Sequence, residues 1–161
     1  MPMITPDQAR ARMPVAAMPV LADLQDWERL ERCFGEGVTV DYSSLWGGEP
    51  QKLNRADLLA QWQALLPGFD ATQHQLGPVT IEVDGDEAVA EAKIVATHLL
   101  EGRGWIVEGR YDCRLVRAGD GWRIAALAYV HERESGDRDL TDRAKARVSE
   151  ARGAAQRDGT R

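Results

Sequence analysis

Cysteine is scarce in this chain. Cys33 and Cys113 are the two thiols in 161 residues, and no C-x-x-C pair occurs. That excludes a disulfide framework, disfavours a Cys33–Cys113 bridge, and leaves reduced thiols in the cytoplasm as the expectation. Basic charge is short as well. Lys and Arg total 20 against 26 Asp and Glu, for a formal net charge of −6. Phosphate binding needs a concentrated basic face, so neither nucleic acid nor an anionic membrane surface is the expected partner. Long apolar runs are missing too. The segment MPVAAMPVLA (13–22) is interrupted by Pro14 and Pro19, has Asp7 upstream, and lacks a clean small-x-small cleavage site. It reads poorly as an export signal, and no stretch approaches a membrane span in length. There is no G-x-S-x-G, Ser43 and Ser44 lack a convincing partner for nucleophilic catalysis, and no glycine motif cradles a phosphate; GRG at 102–104 reads as a turn.

What is present describes one globular domain, 43% hydrophobic and 29% charged, over residues 1–153, with a frayed tail at 154–161. Thr5-Pro6-Asp7 is a helix start, and Pro14 and Pro19 predict that the first helix is kinked or broken. DWERLERCF (26–34) reads as a short amphipathic helix capped by Asp26, and GVTVDYSSL (37–45) as a strand. Asn54 caps RADLLAQWQALL, which Pro67-Gly68 stops. Beyond it the apolar period changes. VTIEV, EAVAEAKIVATHLL, WIVEGRYDCRLV and WRIAALAYVH are strands joined at DGD, EGRG and RAGDG, the pattern of an antiparallel meander. LTDRAKARVSEA forms a last helix with a thin stripe of Leu140, Ala144, Val148 and Ala151. Helices first and sheet afterwards make an α+β domain.

Strand side chains alternate between faces, so parity tells which groups share a surface. His98 continues the face of Ala88, Ala90, Ala92, Ile94 and Ala96, whose small side chains leave room for a ligand. Trp105, Val107, Gly109, Tyr111, Cys113 and Leu115 form the inward set of the next strand, and Tyr42 shares parity with Val38 and Val40. A tyrosine on an apolar face is most often a core residue, and a single inward histidine a satisfied buried group. One histidine and two tyrosines on one inner face together point to chemistry. Of the three histidines, His74 stands in TQHQLG, and His131, beside Glu132 at the end of the last strand, reads as solvated. His74, His98 and Asp23 could form a two-histidine, one-carboxylate metal triad, but no compact ligand spacing supports it, so no metal and no cofactor are expected.

The pieces DWERLERCF, VDYSSLW, TQHQLG, ATHLL and DGWRIAAL, in this order, resemble the SnoaL-like group of the NTF2-like superfamily, and within it scytalone dehydratase and its bacterial relatives. The resemblance covers about residues 5–150. It implies a cone: a strongly curved antiparallel or mixed sheet wrapped around a pocket and closed by N-terminal helices. It also implies cofactor-independent dehydration of an aromatic or polyketide-type hydroxy ketone. Residue by residue, the catalytic aspartate falls on Asp23, the tyrosine on Tyr42 and the two histidines on His74 and His98. Tyr111, Trp46 and Trp105 are expected to line the pocket. Where that enzyme has a second, water-holding tyrosine this chain has Ala22, and Gly109 and Tyr111 stand near its serine and asparagine. Ketone isomerisation, polyketide cyclisation and non-catalytic ligand binding occur on the same fold and stay open. Relatives form dimers or trimers, so a homodimer or homotrimer around a small-molecule substrate is the expectation.

Overall fold

A computed structural model describes residues 3–159. Helix α1 (Pro6–Asp23) opens with Pro6 in the first turn and a capping box: Thr5 Oγ1 accepts from the Gln8 backbone N–H at 3.1 Å, and Gln8 accepts from the Thr5 N–H at 2.8 Å. It runs through Pro14 and Pro19 as one helix, so the expected break is absent. Each proline costs ~3 kcal/mol in a helix interior. Ala11, Val15, Met18, Pro19 and Ala22 are buried, and full burial of side chains such as Val15 and Met18 offsets this by about 1.5–3 kcal/mol each.

Asp26 caps α2 (Trp27–Glu31), which is shorter than its sequence suggests because Phe34 already belongs to β1 (Phe34–Asp41). The expected strand through Leu45 ends at Asp41, whose Oδ1 accepts from the backbone and hydroxyl of Ser43 and starts the short helix α3 (Ser43–Trp46). A short strand that the sequence reading leaves out, β2 (Gln51–Asn54), pairs with β1. Helix α4 (Arg55–Gln63) is capped by Asn54 and followed by a 3₁₀ turn at Leu66–Gly68. TQHQLG also proves to be strand: β3 (Ala71–Leu76) pairs antiparallel with β5 (Glu87–Leu100). Strands β4 (Thr80–Asp84), β6 (Arg103–Ala118) and β7 (Gly121–Gly136) complete the sheet, and α5 spans Leu140–Asp158. That helix continues past residue 153, where fraying is expected; residues 160 and 161 of the expected tail, and 1 and 2 of the expected domain, lie outside the described residues.

The strand order is β2-β1-β7-β6-β5-β3, with β4 on the same edge of β5 as β3. The β1–β7 pair is parallel and the other pairs are antiparallel, so the sheet is mixed, curved and unclosed. Two bulges shape β7. Ile124 faces Leu115 but Ala126 faces Arg114, and His131 faces Gly109 but Arg133 faces Glu108, so Ala125 and Glu132 are extra residues. Each resets the alternation. As a result Ile124, Leu127, Tyr129, His131 and Glu134 all fall on the inner face. Helix α5 docks on the 3₁₀ turn so closely that a Cβ at Gly68 would stand 1.9 Å from the Ala144 carbonyl oxygen. Both cysteines are free and buried. Among the described residues no helix is long and apolar enough to cross a membrane.

Candidate active site

Asp23 is the last residue of α1, the negative end of the helix dipole, where a carboxylate is disfavoured. Three donors from β3 compensate. Asp23 Oδ1 accepts from the Thr72 hydroxyl at 2.9 Å and stands 2.6 Å from His74 Nδ1, and Oδ2 accepts from the His74 backbone N–H at 2.7 Å. Burial pushes the carboxyl up, but the bonds from His74 and Thr72 outweigh it and hold it below its ordinary value. Facing a carboxylate, His74 Nδ1 carries the proton, which leaves Nε2 as the working nitrogen.

His98 is 4% exposed, wedged between Phe69 and Trp105 with ring centroids at 4.9 and 4.6 Å. Its Nδ1 lies 3.1 Å from the carbonyl oxygen of Trp105, its partner across β6. A carbonyl only accepts, so Nδ1 donates and Nε2 bears the lone pair. Burial, seconded by the neighbouring His74 imidazole, lowers its pKa to about 4, so at neutral pH this imidazole is uncharged. The His74 and His98 rings meet edge to face at 5.6 Å.

Across the pocket stand three tyrosines. Tyr42, at the end of β1, stacks on Tyr129 at 5.8 Å, and Tyr111 meets Tyr129 edge-on at 6.0 Å. The hydroxyls of Tyr42 and Tyr111 are hydrogen-bonded, and burial raises both far above the ordinary phenol value, so both remain protonated donors. His131 is not solvated as expected from its place beside Glu132. It is half-buried, its Nδ1 lies 3.1 Å from the Tyr129 hydroxyl, and its backbone N–H donates to Ser44 Oγ at 2.9 Å. The β7 bulge at Ala125 is what puts it, with Leu127 and Tyr129, on the inner face.

These groups surround a cavity of about 550 Å³. His74, His98, Tyr42, Tyr111, Trp46 and Trp105 line it, with Tyr129 in addition; Asp23 stands behind His74, off the wall. Ala22, in the place of the second tyrosine, also faces the cavity and gives it space there. Met18, Leu45, Trp62, Leu65, Leu66 and Val107 make the rest of the wall largely apolar. Among the described residues no group of three or more His, Cys, Asp or Glu side chains is placed to hold a metal ion. The triad of His74, His98 and Asp23 does not form, because Asp23 turns to His74 Nδ1 and His98 Nδ1 to a backbone carbonyl.

A SnoaL-like domain matches residues 4–128. The chain belongs to the SnoaL-like family. A Kribbella flavida protein superposes with TM-score 0.77 at 26% identity, over 86% of this chain and 97% of that one. A provisionally named scytalone dehydratase of Novosphingobium aromaticivorans superposes with TM-score 0.65 at 18% identity, over 80% and 86%. A hexachlorocyclohexane dehydrochlorinase of Novosphingobium barchaimii gives 0.67 at 14%, over 81% and 89%. At these identities the last two speak for the NTF2-like fold alone. No curated protein matches the chain at a significant level. The SnoaL-like match ends one residue before Tyr129, so the end of β7 and helix α5 lie beyond it.

Proposed function

We propose that this SnoaL-like protein is a cofactor-independent hydro-lyase that dehydrates a hydroxy ketone, with His74 as the base. The observation that carries this is the His74–Asp23 contact: a 2.6 Å bond fixes Nδ1 as donor and leaves Nε2 to the cavity wall. In the reaction, Nε2 takes the proton from the carbon next to the substrate carbonyl, and Asp23 stabilises the imidazolium that results. The Tyr42 hydroxyl, braced by Tyr111, donates to the carbonyl oxygen as it gains charge. His98, neutral, accepts from the substrate hydroxyl through Nε2 and orients it. The carbon–oxygen bond then breaks, the pair left on carbon becomes the double bond, and the departing hydroxyl takes up a proton and leaves as water. The proposed reaction is of the same type as the reactions in the names of two proteins that share the fold, a provisionally named dehydratase and a dehydrochlorinase, each a removal of HX across a carbon–carbon bond. The apolar, aromatic wall suits an aromatic or polyketide-type substrate.

The test is turnover of aromatic β-hydroxy ketones by the wild type and by His74→Ala. General acid–base groups contribute about 10²–10⁴-fold, so His74→Ala is expected to lose at least that in kcat while remaining folded. A folded His74→Ala variant with wild-type rate contradicts the assignment.

A further inference from the structure

The departing oxygen needs a proton, and His98 holds none to give at neutral pH. Tyr42 and Tyr111 bond to each other, the first half-buried and the second buried. Tyr129 differs. It lines the cavity, yet its hydroxyl lies 3.1 Å from His131 Nδ1, and His131 Nε2 lies 3.6 Å from Glu134 Oε1. Glu134 is held in turn: Oε2 accepts from Trp105 Nε1 at 2.7 Å, and Arg138 binds both oxygens. Arg138 itself is anchored by donating to the Leu45 carbonyl at 2.9 Å. A phenol in the cavity, an imidazole behind it and a carboxylate at the surface thus stand in line. Local structure is spent on this arrangement. The bulge at Glu132 is needed to bring Glu134 to the same face as His131. Gly109 is needed too: a Cβ there would lie 2.9 Å from the Tyr129 ring and 2.2 Å from the Val130 carbonyl oxygen, so the bare backbone lets that ring lie across β6.

We propose that Tyr129, His131 and Glu134 form a second proton-transfer arm of the pocket, in which Tyr129 is the acid that protonates the leaving hydroxyl. This rests on the dehydration reading. As the substrate carbon–oxygen bond breaks, the Tyr129 O–H proton goes to the departing oxygen to make water. The phenolate regains a proton through His131, which takes one from solvent beside Glu134. His74 releases to solvent the proton it took from carbon, so the cycle closes with no net proton gained or lost. Tyr129 is then a catalytic residue, and His131 and Glu134 are positioning and relay residues.

Two measurements test it together. The first needs no substrate. The exchange of the Tyr129 hydroxyl hydrogen with water, read from the isotope effect on its ring carbon resonance, is compared between wild type and His131→Phe. A relay predicts at least tenfold slower exchange in the variant; an unchanged rate overturns the proposal. The second uses the aldol of acetone and benzaldehyde, whose dehydration gives conjugated benzylideneacetone. Tyr129→Phe and His131→Gln, which keeps a hydrogen bond but passes no proton, are expected to lose about 10²-fold in kcat with KM little changed. If His74→Ala is inactive while both variants keep wild-type kcat, His74 itself returns the proton and the second arm is refuted. If His74→Ala is as active as wild type, the dehydration reading falls instead. Should the aldol not be turned over, the exchange rate alone decides whether the relay exists.

Discussion

Asp23 and His74 come from segments far apart in the chain and meet only because α1 ends over β3. A carboxylate at a helix C-terminus stands there at a cost, and its three bonds to Thr72 and His74 hold one imidazole in one tautomer. Asp23→Asn keeps the shape but not the charge, and is expected to lower kcat by about 10²-fold or more, whereas Thr72→Val should cost less. Equal rates in wild type and Asp23→Asn would remove the carboxylate from the mechanism. His98 gives a prediction in pH. Its unfolded imidazole titrates near 6.5 and the folded one at about 4. The unfolded chain therefore binds the proton first as pH falls, so the contribution is complete above 6.5 and is lost on the way down to about 4. The melting temperature of His98→Leu should consequently fall less across that window than that of the wild type. Parallel curves for the two proteins would contradict a buried, neutral His98.

Among the elements, β5 and β6 were legible from alternation alone. Every residue of the set from Ala88 to Ala96 that shares a face with His98 is buried, as are Trp105, Val107, Tyr111, Cys113 and Leu115. The end of β7 was not legible, because its bulges at Ala125 and Glu132 each reverse the parity and depend on pairing with β6. Tyr129 and Glu134 were missed for that reason, and His131 was misplaced, although the spacing Tyr-x-His was there to be seen. The first helix misled in the other direction: two prolines spoke for a kink or a break, and the helix is continuous, with Ala11, Val15, Met18, Pro19 and Ala22 packed along it. TQHQL was too short and too polar to read as strand until β5 supplied its partner. The docking of α5 brings Lys145 to the cavity wall and turns on Gly68. A Cβ there meets the Ala144 carbonyl, so Gly68→Ala is expected to destabilise by about 1–3 kcal/mol, or about 2–4 °C in Tm per kcal/mol. An unchanged melting temperature would mean that α5 is free to move away.

For the whole molecule, the curved sheet positions the two imidazoles on one wall and the three phenols on another, and α1 both closes the cavity and delivers Asp23. The far end of α1 is tied to the β6–β7 hairpin by Asp7, which accepts from Arg117 at 2.9 and 3.0 Å and from Trp122 at 3.1 Å. Those bonds lower its carboxyl from 3.8 to about 2. Stability from this tie is therefore present above the unfolded value and is lost as pH falls through about 2. Asp7→Asn should destabilise the protein at neutral pH and leave it like wild type near pH 2; a loss that is the same at both would assign the effect to packing. The central claim, that His74 removes a proton from carbon next to a carbonyl, can be measured before the complete reaction is seen. The aldol of acetone and benzaldehyde in heavy water, followed by proton NMR, reports wash-in of deuterium at that carbon. The account predicts that wild type catalyses the exchange and that folded His74→Gln does not; exchange at the same rate in both would contradict it.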